Sequence, residues 1–172
     1  MQLNNKNILL TGATGGIGKA IAIRLNAAGA TVSLVGRKRA TLTPLLGSIG
    51  PQHHLLVADI NSVEGRHSIA EHCATKAIDV VINCAGVLDF GLYEVQEKSS
   101  IEAMMVTNLL SPMLLCQQLI ANLKLRPEAA IINVGSIFGS IGHPGFTAYC
   151  ASKHGLRGFT EALERELADT NI

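Results

Sequence analysis

Tyr149 and Lys153 stand four residues apart in Tyr149-Cys150-Ala151-Ser152-Lys153, the spacing that puts two side chains on one face of a helix. A free phenol titrates near ~10 and is a poor base at neutral pH. A neighbouring ammonium stabilises the phenolate and lowers that value. Such a pair can take a proton from an alcohol or return one to a carbonyl oxygen. Ser136 lies thirteen residues earlier, behind the run Ile131-Ile132-Asn133-Val134-Gly135. A hydroxyl at the C-terminal end of a strand sits on the ligand edge of an open α/β sheet. There it can bond and polarise a substrate oxygen. Taken singly, the pair also fits a surface lysine beside a core-facing tyrosine, and Ser136 also fits a turn among Gly135, Gly139 and Ser140.

A different chemistry is written in Thr11-Gly12-Ala13-Thr14-Gly15-Gly16-Ile17-Gly18, between an apolar run and a helical pattern. Glycines at such a place give a tight turn, close approach of backbone to a pyrophosphate, and close packing of helix on sheet. The helix N-terminus adds unpaired N–H groups and partial positive charge. A P-loop is disfavoured, because Gly18-Lys19 is followed by Ala20 and not by Ser or Thr. An acidic residue closing the second strand would bond a ribose 2′-hydroxyl and select NAD(H). Gly36 takes that place, and Arg37-Lys38-Arg39 follow. A guanidinium suits a 2′-phosphate, so NADP(H) is the expected cofactor and NAD(H) the alternative. Three adjacent cations also fit a solvated basic turn.

Asn108 carries an independent clue. Pro112 lies four residues later in the same apolar stretch. Proline has no N–H, so the carbonyl of Asn108 loses its helical partner. A kink is expected there, with a carbonyl free to hold a water; a kink without any role is the plainer alternative.

The elements that must position these residues alternate along the chain. Strands are expected at Asn7–Leu10, Thr31–Val35, His54–Val57, Asp79–Ile82 and Ala129–Val134. Helices are expected from Gly16 to about Ala28, around Leu42 to Ser48, after a Ser62 cap, over Ile101–Leu125 and over Tyr149–Ala168. Gly65 is an imperfection inside the third of these helices. The strands are short and apolar throughout, as in a parallel sheet buried on both faces. Strand–helix alternation with such strands predicts one doubly wound α/β domain over residues 1–172.

Together these motifs resemble the short-chain dehydrogenase/reductase family, from Lys6 to Leu167. Thr11–Gly18 matches its glycine-rich turn. Asn83-Cys84-Ala85-Gly86 resembles its Asn-Asn-Ala-Gly motif, with Cys84 in place of the second Asn. Tyr149–Lys153 matches its Tyr-x-x-x-Lys motif. The resemblance implies a Rossmann-type sheet in the order 3-2-1-4-5 and a catalytic set of Asn108, Ser136, Tyr149 and Lys153. It implies a water on Asn108 linking the lysine to solvent, and Lys153 on the nicotinamide ribose. It also implies Asp59 and Ile60 at the adenine, and Asn83, Ala85 and Gly86 along the adenosine ribose. Family members continue with further strands and a substrate loop, so the chain is expected to be C-terminally incomplete, with an open edge beyond the fifth strand. Homodimers or homotetramers are expected from the family's paired long helices.

Composition narrows the partners. Aromatics are 3% of the chain, with no Trp, and the formal net charge is +1. Neither an aromatic stacking platform nor a basic face for nucleic acid is indicated. Ile101–Leu125 is interrupted by Asn108, Ser111, Pro112, Gln117 and Gln118 and makes a poor membrane span. Met1–Leu10 has no long apolar stretch after a basic start, so cytoplasmic residence is expected. Four scattered cysteines read as buried hydrophobes, without a disulfide framework or metal site. His53 and His54, adjacent in a strand, point to opposite faces and cannot chelate together. His143, between Gly142 and Pro144, is expected in an exposed loop, with a place at the border of the substrate cleft as the alternative. The leading expectation is an oxidoreductase interconverting a carbonyl and an alcohol. A non-catalytic dinucleotide-binding or redox-sensing protein is the alternative, and an epimerase or dehydratase a third.

Overall fold

The computed structural model describes residues 1–172. Five parallel strands run β1 (Asn7–Thr11), β2 (Thr31–Gly36), β3 (His54–Val57), β4 (Val80–Asn83) and β5 (Ala130–Asn133). Their order across the sheet is β3-β2-β1-β4-β5, the doubly wound arrangement expected from the alternation. The helices are α1 (Gly16–Ala27), α2 (Arg39–Ile49), α3 (Val63–Thr75), α4 (Lys98–Met105), α5 (Ser111–Lys124) and α6 (Thr147–Leu167). Short 3-10 turns at Tyr93–Val95 and Ile137–Gly139 complete the loops after β4 and β5.

The apolar strands have a direct cause. Along β1, Ile8 and Leu10 enter one core with Ala22, Leu25 and Leu42. Leu9, pointing the other way, enters a second core with Ile69, Leu115 and Leu119. All three are fully buried, each contributing about 1.5–3 kcal/mol by leaving water. A strand feeding two cores has no polar face to alternate with.

Local signals set the helix ends. Gly29 adopts φ +78° after α1, and the Ser62 hydroxyl accepts the Gly65 N–H at 2.9 Å to cap α3. Gly65 is no imperfection: a Cβ there would lie 2.7 Å from the Asp59 carbonyl carbon, so its lack of a side chain lets α3 start against the β3 loop. The expected kink near Pro112 takes a definite form. Val106–Leu110 is a π-turn joining α4 to α5, and the Ser111 N–H bonds to the Val106 carbonyl five residues back. The run Lys98–Lys124 is long and apolar enough to cross a membrane by length and composition alone. In the fold, its residues Leu115, Leu119 and Leu123 pack in the second core.

β5 pairs only with β4, on one side. Asn171 reaches across to its start: the Ala129 N–H bonds to the Asn171 carbonyl at 2.9 Å, and the Asn171 amide donates to the carbonyls of Leu123 and Arg126.

Three histidines sit around β2 and β3. His53 is buried, and its Nδ1 accepts the backbone N–H of Val32 at 2.9 Å, which requires a neutral ring protonated on Nε2. His72 bonds the Ser33 hydroxyl at 2.8 Å and meets His54 edge-on at 5.9 Å. Burial lowers the pKa of all three below 6.5, and Lys76 adds to the effect on His54 and His72. Below about 6.5 the unfolded chain therefore binds more protons than the folded one, and stability falls with pH. Melting temperature is expected to drop between pH 7.5 and 5.5, and His53→Gln with His72→Gln to flatten that drop. An equal slope in wild type and double variant would assign acid sensitivity elsewhere.

Candidate active site

The turn after β1 and the loop after β4 are fitted to each other. Gly12 adopts φ +65°, and a Cβ there would lie 2.6 Å from the Ala85 backbone. Gly18 lies against the Gly12 carbonyl, with no room for a side chain. The buried Thr11 hydroxyl accepts the N–H groups of Cys84 at 3.1 Å and Ala85 at 3.2 Å. Thr11 thus fastens the two segments together from beneath. Gly15, the N-cap of α1, supplies no capping side chain, so the first-turn N–H groups of α1 are left for an anion. A cradle that backbone enters closely and side chains do not suits the pyrophosphate of a dinucleotide.

Two clefts open above this cradle, both walled by Gly12, Gly15, Cys84, Gly86 and Val87. One, of about 260 Å³, is bounded by Thr14, Gly36, Arg37, Asp59, Ile60 and Ala85, together with Asn61 and Thr107. No carboxylate closes β2, and Arg37 stands exposed at the rim. Asp59 is fixed by accepting the Asn61 N–H at 3.0 Å. The other cleft, of about 230 Å³, is bounded by Gly16, Ile17, Gly18, Leu88, Tyr149 and Lys153. Together they form a trough along the C-terminal ends of the strands, where open α/β sheets bind ligands.

Lys153 is 6% exposed and donates to the Val134 carbonyl at 2.8 Å. Its Nζ lies 5.9 Å from the centroid of the Tyr149 ring. Burial lowers its pKa, while nearby Cys84 opposes the change. Ser136 borders an adjoining groove that also contains Lys153. Its Oγ accepts the Phe138 N–H at 3.2 Å, which leaves the Ser136 O–H to donate elsewhere.

Asn108 is buried, and its side chain is fully engaged. Nδ2 donates to the Val87 carbonyl at 2.9 Å and the Ser152 hydroxyl at 3.1 Å, and Oδ1 accepts the Val87 N–H at 2.8 Å. Ser152 in turn donates to the Tyr149 carbonyl at 2.8 Å. Asn108 therefore braces the β4 loop against the Tyr149 helix.

Asn83 lies beneath the trough: its Nδ2 donates to Asn133 Oδ1 at 2.8 Å, and Asn133 passes a bond to Thr160 at 2.9 Å. It is a girder between β4, β5 and α6. Cys84 is half-buried in the loop after β4, in contrast to the buried Cys73, Cys116 and Cys150. Its thiol is pushed up by burial and drawn down by Lys153. Sequence reasoning passed over Ser152, Asn61 and Thr107. Asn61 donates to Thr107 Oγ1 at 2.9 Å and accepts from Ser111 at 2.8 Å, tying the β3 loop to the π-turn. Ser152 was findable, being one turn beyond Tyr149 on the same helix; the other pairing joins segments far apart in sequence.

The profile of the short chain dehydrogenase family matches residues 6–172. The chain is 33% identical over 173 residues to nodulation protein G of Rhizobium sp. (strain N33), covering 99% of this chain and 71% of that protein. It is 34% identical over 176 residues to the 3-oxoacyl-(acyl-carrier-protein) reductase of Vibrio harveyi, covering 100% and 71%. The crystal structure of a short-chain dehydrogenase from Streptomyces avermitilis superposes with a TM-score of 0.90 at 28% identity, covering 98% of this chain and 62% of that one. The chain belongs to the short-chain dehydrogenase family of oxidoreductases.

Proposed function

We propose that the protein binds NADP(H) and interconverts a carbonyl and an alcohol, with Tyr149 as general acid and base. One observation carries the reading: Tyr149 and Lys153 border the same trough as the glycine cradle. The bound cofactor would supply or accept the hydride. The α1 N-terminus would hold its pyrophosphate, Arg37 its 2′-phosphate, and Asp59 and Ile60 its adenine. Ser136 donates its hydroxyl to the carbonyl oxygen, and Tyr149 delivers the proton to that oxygen. Lys153 would bond the nicotinamide ribose, and its ammonium offsets the charge left on Tyr149 until a proton passes from solvent, through a water on the Asn108 carbonyl and Lys153, to the Tyr149 phenolate. The Vibrio harveyi relative is named for reducing a 3-oxoacyl group, and reduction of a ketone is the direction proposed here.

The test is NADPH consumption over a panel of ketones and aldehydes, run with wild type and Arg37→Asp. Wild type is expected to prefer NADPH. Arg37→Asp is expected to raise the KM for NADPH by about 10- to 100-fold, the worth of a charge-assisted bond, and to lower the KM for NADH. Unchanged constants would remove the 2′-phosphate assignment, and a panel without turnover would remove the reductase reading.

The same proposal includes a homodimer or homotetramer. A groove between α5 and α6, lined by Leu110, Met113, Leu114, Ile120, Phe159 and Leu163, supports it. Four free cysteines suit the reducing cytoplasm.

A further inference from the structure

The chain has four Phe, two Tyr and no Trp. All of these except Phe159 lie in the loops after β4 and β5 or at the start of α6, and Phe90, Phe138 and Phe146 gather around Tyr149. Phe138 and Phe146 stack at 4.8 Å, and Phe90 meets Phe146 at 4.9 Å. Tyr149 closes the cluster, with its ring edge-on to Phe138 at 6.3 Å and to Phe146 at 6.4 Å. The two loops are stapled where the Gly91 N–H bonds to the Gly145 carbonyl at 3.0 Å. Gly145 adopts φ +80°, and a Cβ there would collide with the Phe90 ring. The backbone is thus shaped to let Phe90 lie down beside Phe146.

Phe90 opens this wall to solvent, being 68% exposed, while Phe138, Phe146 and Tyr149 are half-buried. Its own aromatic rings carry no charge. Between Val134 and Tyr149 the sequence has no Asp, Glu, Lys or Arg, and Asp89 is engaged by Ser100. His143, in the same loop, packs against Phe138 and Phe146. A contiguous exposed apolar surface is a site of binding, and the position of Tyr149 says what binds. A carbonyl must come within about 3 Å of the Tyr149 hydroxyl to receive its proton. Since the Tyr149 ring is itself part of the cluster, the substituent of that carbonyl runs along Phe138, Phe146 and Phe90. The cations beside the wall are already engaged, Lys153 by the Val134 carbonyl and Arg157 by Ser140 and Glu161.

We infer that the substrate is a ketone or aldehyde on an unbranched apolar chain, and that Phe90, Phe138 and Phe146 select it by chain length. The inference rests on the Tyr149 reading, and its test separates the two. A series of 2-alkanones from butanone to undecanone would be assayed with NADPH. In parallel, binding of the matching N-alkylacetamides, which are not reduced, would be measured by calorimetry. kcat/KM and acetamide affinity are expected to rise about three- to fourfold per methylene. Phe90→Ser is expected to weaken the longest ligands about tenfold and leave the KM for NADPH unchanged. Turnover that is flat with chain length would overturn the apolar wall and leave Tyr149 in place. Acetamide binding that lengthens with the chain, without turnover of any ketone, would support the wall and overturn the reductase reading. If Phe90→Ser shifts only the melting temperature or oligomeric state, the wall is covered by protein, and the inference fails.

Discussion

Tyr149→Phe is expected to lower kcat by about 10²- to 10⁴-fold, the usual worth of a positioned general acid, and to leave the dissociation constant for NADPH within about twofold. The substitution removes one oxygen and no packing. The ring keeps its neighbours Phe138 and Phe146, and Lys153 keeps its bond to the Val134 carbonyl. Ser152 still donates to the residue 149 carbonyl, because that bond is to the backbone. Steady-state rates at saturating cofactor, beside a cofactor titration, separate chemistry from binding. A residual rate within tenfold of wild type would mean that another group delivers the proton. Loss of cofactor binding would mean that the phenol holds the ribose rather than the reacting oxygen.

Gly12→Ala and Gly18→Ala are expected to disable the protein by a different route. A methyl at position 12 adds the cost of a left-handed backbone, about 1–2 kcal/mol, to a collision with Ala85. At position 18 it meets the backbone of Gly12 and Ala13, which has no rotamer by which to yield. Overpacking of this kind costs about 1–3 kcal/mol or more. Each variant should lose about 5–15 °C in melting temperature, and at least tenfold in NADPH affinity as the cradle opens. Gly16→Ala is the control, since a Cβ there meets nothing within 4 Å. Its melting temperature should be unchanged, and any loss of NADPH affinity would report how closely the cofactor approaches that backbone. Equal stability of all three variants would show that these glycines answer to flexibility instead of space.

The sheet was legible because β1, β2 and β4 are buried on both sides, and their continuous apolar runs carry no ambiguity of face. Tyr149, Lys153 and the glycine turn were legible because the chemistry demands fixed spacings within one helix or one turn. What escaped belongs to contacts between distant segments. The bond from the Asn83 side chain to Asn133, on a neighbouring strand, is one such contact. Pro112 announced a break in the helix, but only the register of the Ser111 N–H shows that the ladder widens instead of simply bending. Gly65 looked like a flaw because the backbone of Asp59 that it must clear is invisible along one helix. The aromatic wall drew no attention either, since its members are scattered over two loops and gather only when those loops meet.

The π-turn has one more effect, and it is one of phase. An extra residue in a helical turn rotates whatever follows by roughly 100° relative to an unbroken α-helix. The side-chain stripes of α4 and α5 are therefore out of step, although the backbone runs on without a gap. That offset lets a single rod serve two partners: α4 packs against α6, which carries Tyr149, while α5 packs against α3 and β5. Asn108 and Thr107 sit at the joint where the phase changes, one facing Ser152 on the Tyr149 helix and the other the Asp59 side of the trough. A rod in uniform phase would keep one of those alignments and lose the other.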